Sequence, residues 1–323
     1  MKRRMVLSLA LLAGLASGGP AHAQVYTIAT NPQGSVYYSA AAAMSKLFGD
    51  KLNLQFRAQP MAGSSTYLPL VNVGEIDFGM GNVDDLETGY VGKQNFEGKP
   101  NPNVRLMFVM FPLTGSLLVP ADSPVKKIAD VKGIRMPSGY ASQTTGRIIQ
   151  DGVLATAGLS TADVKAVPVV NLFAGVDALA GGRVDAAIIT PGVAQVQKAH
   201  AELSSRGGVR FVSIETAPEA IARMKKVMPT RPLLYKPAPH FVGILEPTWM
   251  MGYSTFLFTS DKASPEVVYN IVKAVHTSHK QLAEAAPIMN GFEADRVAEK
   301  TNVPWHPGAI KYLTEIGQWP PKD

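Results

Sequence analysis

Short apolar runs alternate along most of the chain with longer segments whose apolar residues recur at three- and four-residue spacing. Runs of the first kind predict strands, and segments of the second kind predict helices with one buried face. Residues 25–30 predict a strand, 35–48 a helix of small and apolar residues, 54–59 a strand, and 64–73 a helix opened by Ser64. A short strand over 76–80 and a helix near 83–90 follow. The stretch 92–103 is rich in Gly, Asn and Pro and predicts a loop, and 104–111 is a strongly apolar strand. This βαβα rhythm is that of a parallel sheet with helices on its faces.

The rhythm restarts with strands predicted at 116–119, 133–136, 164–170, 186–190 and 209–214, and helices at 142–157, 173–180, 193–204 and 217–228. The crossing 228–247 carries Pro229, Pro232, Pro237, Pro239 and Pro247. Pro cannot donate to a strand ladder, so this segment is irregular or edge-like. Residues 249–259 predict one aromatic and apolar strand returning to the first unit. A long helix over 265–285 has Ser264 as its cap and Pro265 at its first position, and 307–317 is a final helix stopped by Gly317. The expected fold class is α/β, with two lobes, a hinge and a ligand cleft between them. Lobe 1 is discontinuous, 24–112 and 245–323, and lobe 2 spans 113–244. Two consecutive domains are the alternative arrangement.

The amino terminus changes the picture of where the chain works. Lys2, Arg3 and Arg4 form a positive start, 5–15 is apolar, and Ala21-His22-Ala23 is a small-x-small cleavage site. This is the pattern of a cleaved signal peptide, 1–23, too short for a membrane span, and it predicts a periplasmic mature protein beginning at Gln24. The formal charge of +6 then loses three leader cations, leaving 28 basic and 25 acidic residues with no basic stripe. That balance argues against a nucleic-acid partner. The chain has no Cys among its 323 residues, which excludes a disulfide scaffold and Cys-ligated metal. A chain of this length folds on its core alone.

Catalytic and cofactor signatures are sparse. Gly79-Met80-Gly81 begins like a dinucleotide fingerprint, but its third glycine position is Asp84. No phosphate-binding loop of Walker type and no Gly-x-Ser-x-Gly elbow occurs. His276 and His279 lie on one helix face without a third ligand, and His306 before Pro307 reads as a cap. No metal, no cofactor and no catalytic residue is therefore expected. Asp84 and Asp85 are adjacent and do not face one another on a helix, which argues against an acid–base pair.

Polar and Gly-rich segments stand instead directly after strands: 30–38, 62–66, 81–84, 138–144 and 190–192. In open α/β sheets ligands bind outside the carboxyl ends of the strands. Helix starts there present free N–H groups and a positive dipole end, suited to carboxylates. These segments hold Asn31, Ser35, Tyr37, Tyr38, Ser64, Ser65, Asn82 and Asp84 in the first unit, and Gly139, Tyr140, Ser142, Thr144, Thr190 and Gly192 in the second. Arg147, one to two turns into its helix, is read as solvated. Tyr140 either stacks on a planar ligand or fills space.

The order and spacing of several short motifs resemble the TAXI-type solute-binding proteins of TRAP (tripartite ATP-independent periplasmic) transporters. These motifs are Gly-Ser-Val-Tyr-Tyr (34–38), Ala-Gly-Ser-Ser (62–65), Gly-Glu-Ile-Asp-Phe-Gly (74–79), Leu-Ala-Gly-Gly-Arg-Val-Asp-Ala-Ala (179–187), Pro-Gly-Val (191–193) and the closing segment 306–317. The resemblance covers nearly all of the mature chain. It implies a type II periplasmic-binding fold that captures a small organic acid or acidic amino acid, with the ligand-binding residues being, by position, those just named: the set from Asn31 to Asp84 on one side of the cleft and the set from Gly139 to Gly192 on the other. It also implies delivery to one small and one large ion-coupled membrane subunit. The chain departs from the family at Thr30-Asn31-Pro32-Gln33, where Thr-Gly-Gly is usual, and at Asn82, where Gln is frequent. The rival functions are an exported dehydratase-like enzyme, for which Asp84 is the one acid in place, and a ligand-receiving partner of a signalling receptor.

Overall fold

The computed structural model describes residues 25–321; the expected leader, 1–23, lies outside the described residues. The chain begins β1 (Val25–Thr30), α1 (Val36–Leu52), β2 (Gln55–Pro60), α2 (Ser64–Val73), β3 (Phe78–Asn82), α3 (Val83–Val91) and β4 (Val104–Val109). It continues β5 (Leu113–Pro120), β6 (Arg135–Gly139), α4 (Thr145–Thr156), β7 (Lys165–Val169), α5 (Leu172–Ala180), β8 (Ala187–Ile189), α6 (Ala194–Glu202), β9 (Val209–Val212), α7 (Pro218–Val227), β10 (Arg231–Tyr235) and β11 (Thr248–Tyr253). It closes with β12 (Thr255–Ser260), α8 (Pro265–Thr277), α9 (His279–Ala285) and α10 (Pro307–Glu315).

One sheet has the order β2-β1-β3-β12-β4. β1 runs parallel to β2 and β3, and β12 is antiparallel to both β3 and β4. α1 covers this sheet through Tyr37, Ala40, Ala41, Met44, Leu47 and Phe48, a stripe at helical spacing. β12 is buried on both faces, so its sequence shows no alternation. Phe258 lies across β3 where a Cβ at Gly79 would come within 2.5 Å of its ring.

The second sheet has the order β10-β11-β5-β8, with β9 also paired to β5. Every pairing in it is antiparallel, against the parallel arrangement the rhythm predicts. β6 and β7 form a separate parallel pair. The Pro-rich crossing contributes β10, which is an edge strand, as its composition predicts.

Two expected elements are each two. The run 249–259 is β11, in the second sheet, and β12, in the first, with only Ser254 between them. The boundary expected at 245 thus precedes a strand that pairs in the second sheet. The single helix expected over 265–285 is α8 and α9, interrupted at Ser278 (φ −118°, ψ 16°). The chain crosses between sheets twice, through 110–112 and through Ser254. Among the described residues no helix is long and apolar enough to cross a membrane.

Candidate functional site

Four helix starts meet where the two sheets face each other. Ser35 caps α1 by accepting the Tyr38 N–H at 3.2 Å. Asn82 caps α3 by accepting the Asp85 N–H at 3.0 Å. Asn171 caps α5, accepting the Ala174 N–H at 2.9 Å. Gln143 Oε1 accepts the Leu172 N–H at 3.2 Å, which fixes the start of α5 against that of α4. Each cap follows or closely follows a strand end, the position where open sheets place ligands.

Beside the starts of α1, α4 and α5 lies a cavity of about 40 Å³. The loop after β1 contributes Asn31, Pro32 and Ser35 to its wall and α1 contributes Val36 and Tyr37; β5 and β11 contribute Leu113, Thr114, Gly115 and Tyr253. The facing lobe supplies Gln143, Ile149, Asn171, Leu172, Phe173, Ile188, Ile189, Thr190 and Val193. Among the described residues lining it, none carries a formal charge. The Tyr37 hydroxyl is buried without a hydrogen-bond partner. Burial, and after it the neighbouring Tyr67, Tyr253 and Asp85, hold its pKa well above the ordinary tyrosine value.

Beside the cavity the lobes are joined by a polar seam centred on Asp85, which is fully buried. Ser64 donates to Oδ2 of Asp85, and Asn82 Nδ2 donates to the same oxygen at 2.9 Å. Thr145, from the opposite lobe, donates to Oδ1. Burial raises the Asp85 pKa, and the bonds from Ser64, Thr145 and Asn82 oppose that rise. Two further bonds cross the gap: Ser65 Oγ with Thr144 Oγ1 at 3.0 Å, and Asn171 Nδ2 to the Ala62 carbonyl at 3.4 Å. The backbones approach closely as well, since a Cβ at Gly63 would fall 2.0 Å from the Ser142 carbonyl oxygen. The lobes stand shut on one another.

The predicted residues divide into three groups. Asn31, Ser35, Tyr37 and Thr190 line the cavity. Ser64, Ser65, Asn82 and Thr144 belong to the seam, and Ser142 donates its hydroxyl to the Val170 carbonyl at its border. Tyr38, Gly139, Tyr140, Asp84 and Gly192 do not line the cavity. Tyr140 fills space: it is fully buried at φ +49°, with its hydroxyl donating to Gln150 at 2.7 Å. Asp84 is buried with Oδ2 unpartnered, and its pKa is pushed up to about 7 by burial, then by Asp85 and Glu87, against Arg147. Arg147 is exposed and pairs with Asp151 at 3.5 Å.

The histidines are engaged by neighbours on their own side of the molecule. His276 bonds Tyr312 and the Ala294 carbonyl, His279 bonds the His276 carbonyl, and His306 caps α10 by accepting the Gly308 N–H. Sequence reasoning missed Thr145, Asn171 and the apolar wall, and it left Asp85 and Gln143 off the predicted ligand-binding residues although both stood in or beside the segments it singled out. Asn171 carries a readable signal, a polar residue between an apolar strand and an apolar helix. Asp85 was masked by the argument that adjacent acids diverge; they do, and Asp85 is the one that points across the gap.

Two α/β lobes, two adjoining crossings and a cavity walled by both define the two-lobed fold of periplasmic substrate-binding proteins. A binding protein component of an ABC phosphonate transporter from Pseudomonas aeruginosa matches over 83% of this chain and 79% of its own, with TM-score 0.51 and 10% identity. PhnD1 from Prochlorococcus marinus, in complex with methylphosphonate, matches over 91% and 97%, with TM-score 0.50 and 13% identity. The alkanesulfonate-binding protein SsuA from Xanthomonas axonopodis pv. citri, bound to MOPS, covers 92% and 80%, with TM-score 0.49 and 18% identity. Residues 28–317 match the model of the NMT1-like family, and the chain belongs to that family.

Proposed function

We propose that this chain is an exported solute-binding protein that closes its lobes over a small molecule and hands it to a membrane transporter. The observation that carries the reading is the cavity between the lobes, walled by both and flanked by hydrogen bonds that exist only when they meet. Function is then differential binding: a solute that touches both walls favours the shut state by the contacts the open state lacks. Lobe 1 comprises 24–112 and the segment after the second crossing, and lobe 2 begins at 113. The sheet pairings favour Ser254 over 245 as the place of return. The first 23 residues are a signal peptide removed on export to the periplasm.

The motif order along the chain supports the finer reading of a TAXI-type receptor serving the small and large membrane subunits of a TRAP transporter. A carboxylate-bearing solute fits a wall of helix starts without an acidic side chain. No catalytic role is proposed, because neither Asp84 nor Asp85 lines the cavity. The test is native mass spectrometry of the purified mature chain, followed by thermal-shift screening with small carboxylates. A solute that copurifies unchanged, or raises Tm with concentration as mass action requires, is the expected result; a chemically altered solute would point to the enzyme. Uptake through the chain's own membrane partner should survive ATP depletion and stop when the ion gradient is dissipated. The reverse would place the chain with an ABC transporter.

A further inference from the structure

The cavity wall has a composition that selects among acids. On the solute-binding reading above, any occupant meets Leu113, Ile149, Phe173 and Ile188 on its broad faces. Its polar partners are the side chains of Asn31, Thr190 and Gln143, the Tyr37 hydroxyl, and the first-turn N–H groups of Val36, Tyr37 and Phe173, which the caps Ser35, Asn171 and Gln143 do not take. That hydroxyl is the second sign of a ligand. Tyr37 is 2% exposed, and its oxygen has no partner among the described residues. A buried hydroxyl without a partner is costly, and an acceptor on a bound solute removes that cost.

An ammonium group finds no counter-charge here. Asp84 and Asp85 sit outside the wall, and Asp85 already accepts from Ser64, Asn82 and Thr145. A second carboxylate likewise finds no Lys, Arg or His among the lining residues, and would lie on aliphatic surface. The volume is about 40 Å³, room for about three waters. The solute is therefore small, or the lobes stand slightly further apart when it is bound.

We propose that the occupant is a short monocarboxylate with an apolar body. Its carboxylate takes the helix-start N–H groups and the Tyr37 hydroxyl, and its hydrocarbon part lies on Leu113, Ile149, Phe173 and Ile188. This differs from an acidic amino acid, which carries both groups the wall cannot meet.

The test uses the mature full chain, unfolded and refolded to remove copurified solute. Isothermal titration compares propionate, isobutyrate and isovalerate with leucine, which adds an ammonium, and with succinate and glutamate, which add a second carboxylate. The expected result is at least tenfold tighter binding of a monocarboxylate than of any compound bearing the added charge. Tyr37→Phe should weaken that binding about tenfold while Tm of the free protein rises, because the unpartnered hydroxyl is gone. Leucine, succinate or glutamate binding as tightly overturns the proposal and leaves the solute-binding reading in place. So does a copurified solute of another class with no monocarboxylate binding. No response to any compound, with no copurified solute, overturns both.

Discussion

Gly63 carries the sharpest test of whether the seam governs closure. Its φ of 172° is extended backbone that alanine adopts freely, so Gly63→Ala leaves lobe 1 unstrained. The added Cβ would fall 2.0 Å from the Ser142 carbonyl oxygen and 2.9 Å from Gln143 Cβ, both across the gap. Ordinary contact begins near 3.4 Å, so the lobes must part locally by about 1.4 Å. The Ser65–Thr144 contact of 3.0 Å then stretches to about 4.4 Å, beyond hydrogen-bond reach. If the bond from Thr145 to the Asp85 carboxylate is lost with it, the shut state loses about 1 kcal/mol for the neutral bond and about 1.5–3 kcal/mol for the charged one. The ratio of shut to open molecules should fall about a hundredfold to a thousandfold. The chain has no Cys, so dye pairs can be placed at Lys46→Cys on α1 and Glu219→Cys on α7 without a background thiol. Single-molecule energy transfer should show the lobes moved apart in Gly63→Ala, while Tm stays within a degree or two of the parent. An unchanged interlobe distance with unchanged solute affinity would refute the reasoning.

Asp84→Asn should stabilise the protein above neutral pH. The folded-state pKa near 7 exceeds the ordinary 3.8, so the folded chain holds its proton more tightly and stability falls as pH rises through that window. At pH 8 the variant should exceed the parent by up to about 4 kcal/mol in urea unfolding. The two should converge below pH 4, and parallel pH profiles would contradict this. Tyr140→Phe leaves buried Gln150 Oε1 without its donor and should cost about 1–3 kcal/mol in unfolding free energy with solute affinity intact. A large loss of affinity there would return Tyr140 to the site. Asn171→Ala removes the α5 cap and one bond across the gap. It should lower stability by about 1 kcal/mol and also weaken solute binding, and a change in stability alone would confine Asn171 to capping.

Much of the fold is legible in the residues because local chemistry and tertiary packing agree. β1 and α2 have the bounds their patterns predict. One failure comes from burial. From Trp249 to Thr259 the apolar residues show no alternation, so no period marks Ser254 as the point where the chain leaves one sheet for the other. The antiparallel second sheet is hidden for another reason, since strand direction depends on where the connections run. In the site, Asn31, Ser35 and Thr190 were readable as polar residues following strands. Tyr140 was open between stacking on a ligand and filling space, and its left-handed backbone with a fully buried ring gives the second. The apolar wall was unreadable as a site, since Ile149, Ile188 and Leu113 look like any core.

The two crossings have a mechanical consequence. One spans 110–112 and the other is the single residue Ser254, and β12, which follows it, lies beside β4, which precedes the first. The Thr255 hydroxyl donates to the Phe111 carbonyl, binding the two connections together. Such a pair leaves the lobes one easy motion, a swing about the line joining them, and resists sliding and twisting. On the proposed solute-binding function, the outer rims of both lobes would therefore travel a fixed arc as the gap shuts. A membrane partner gripping both rims could read occupancy from their spacing alone, without ever touching the solute.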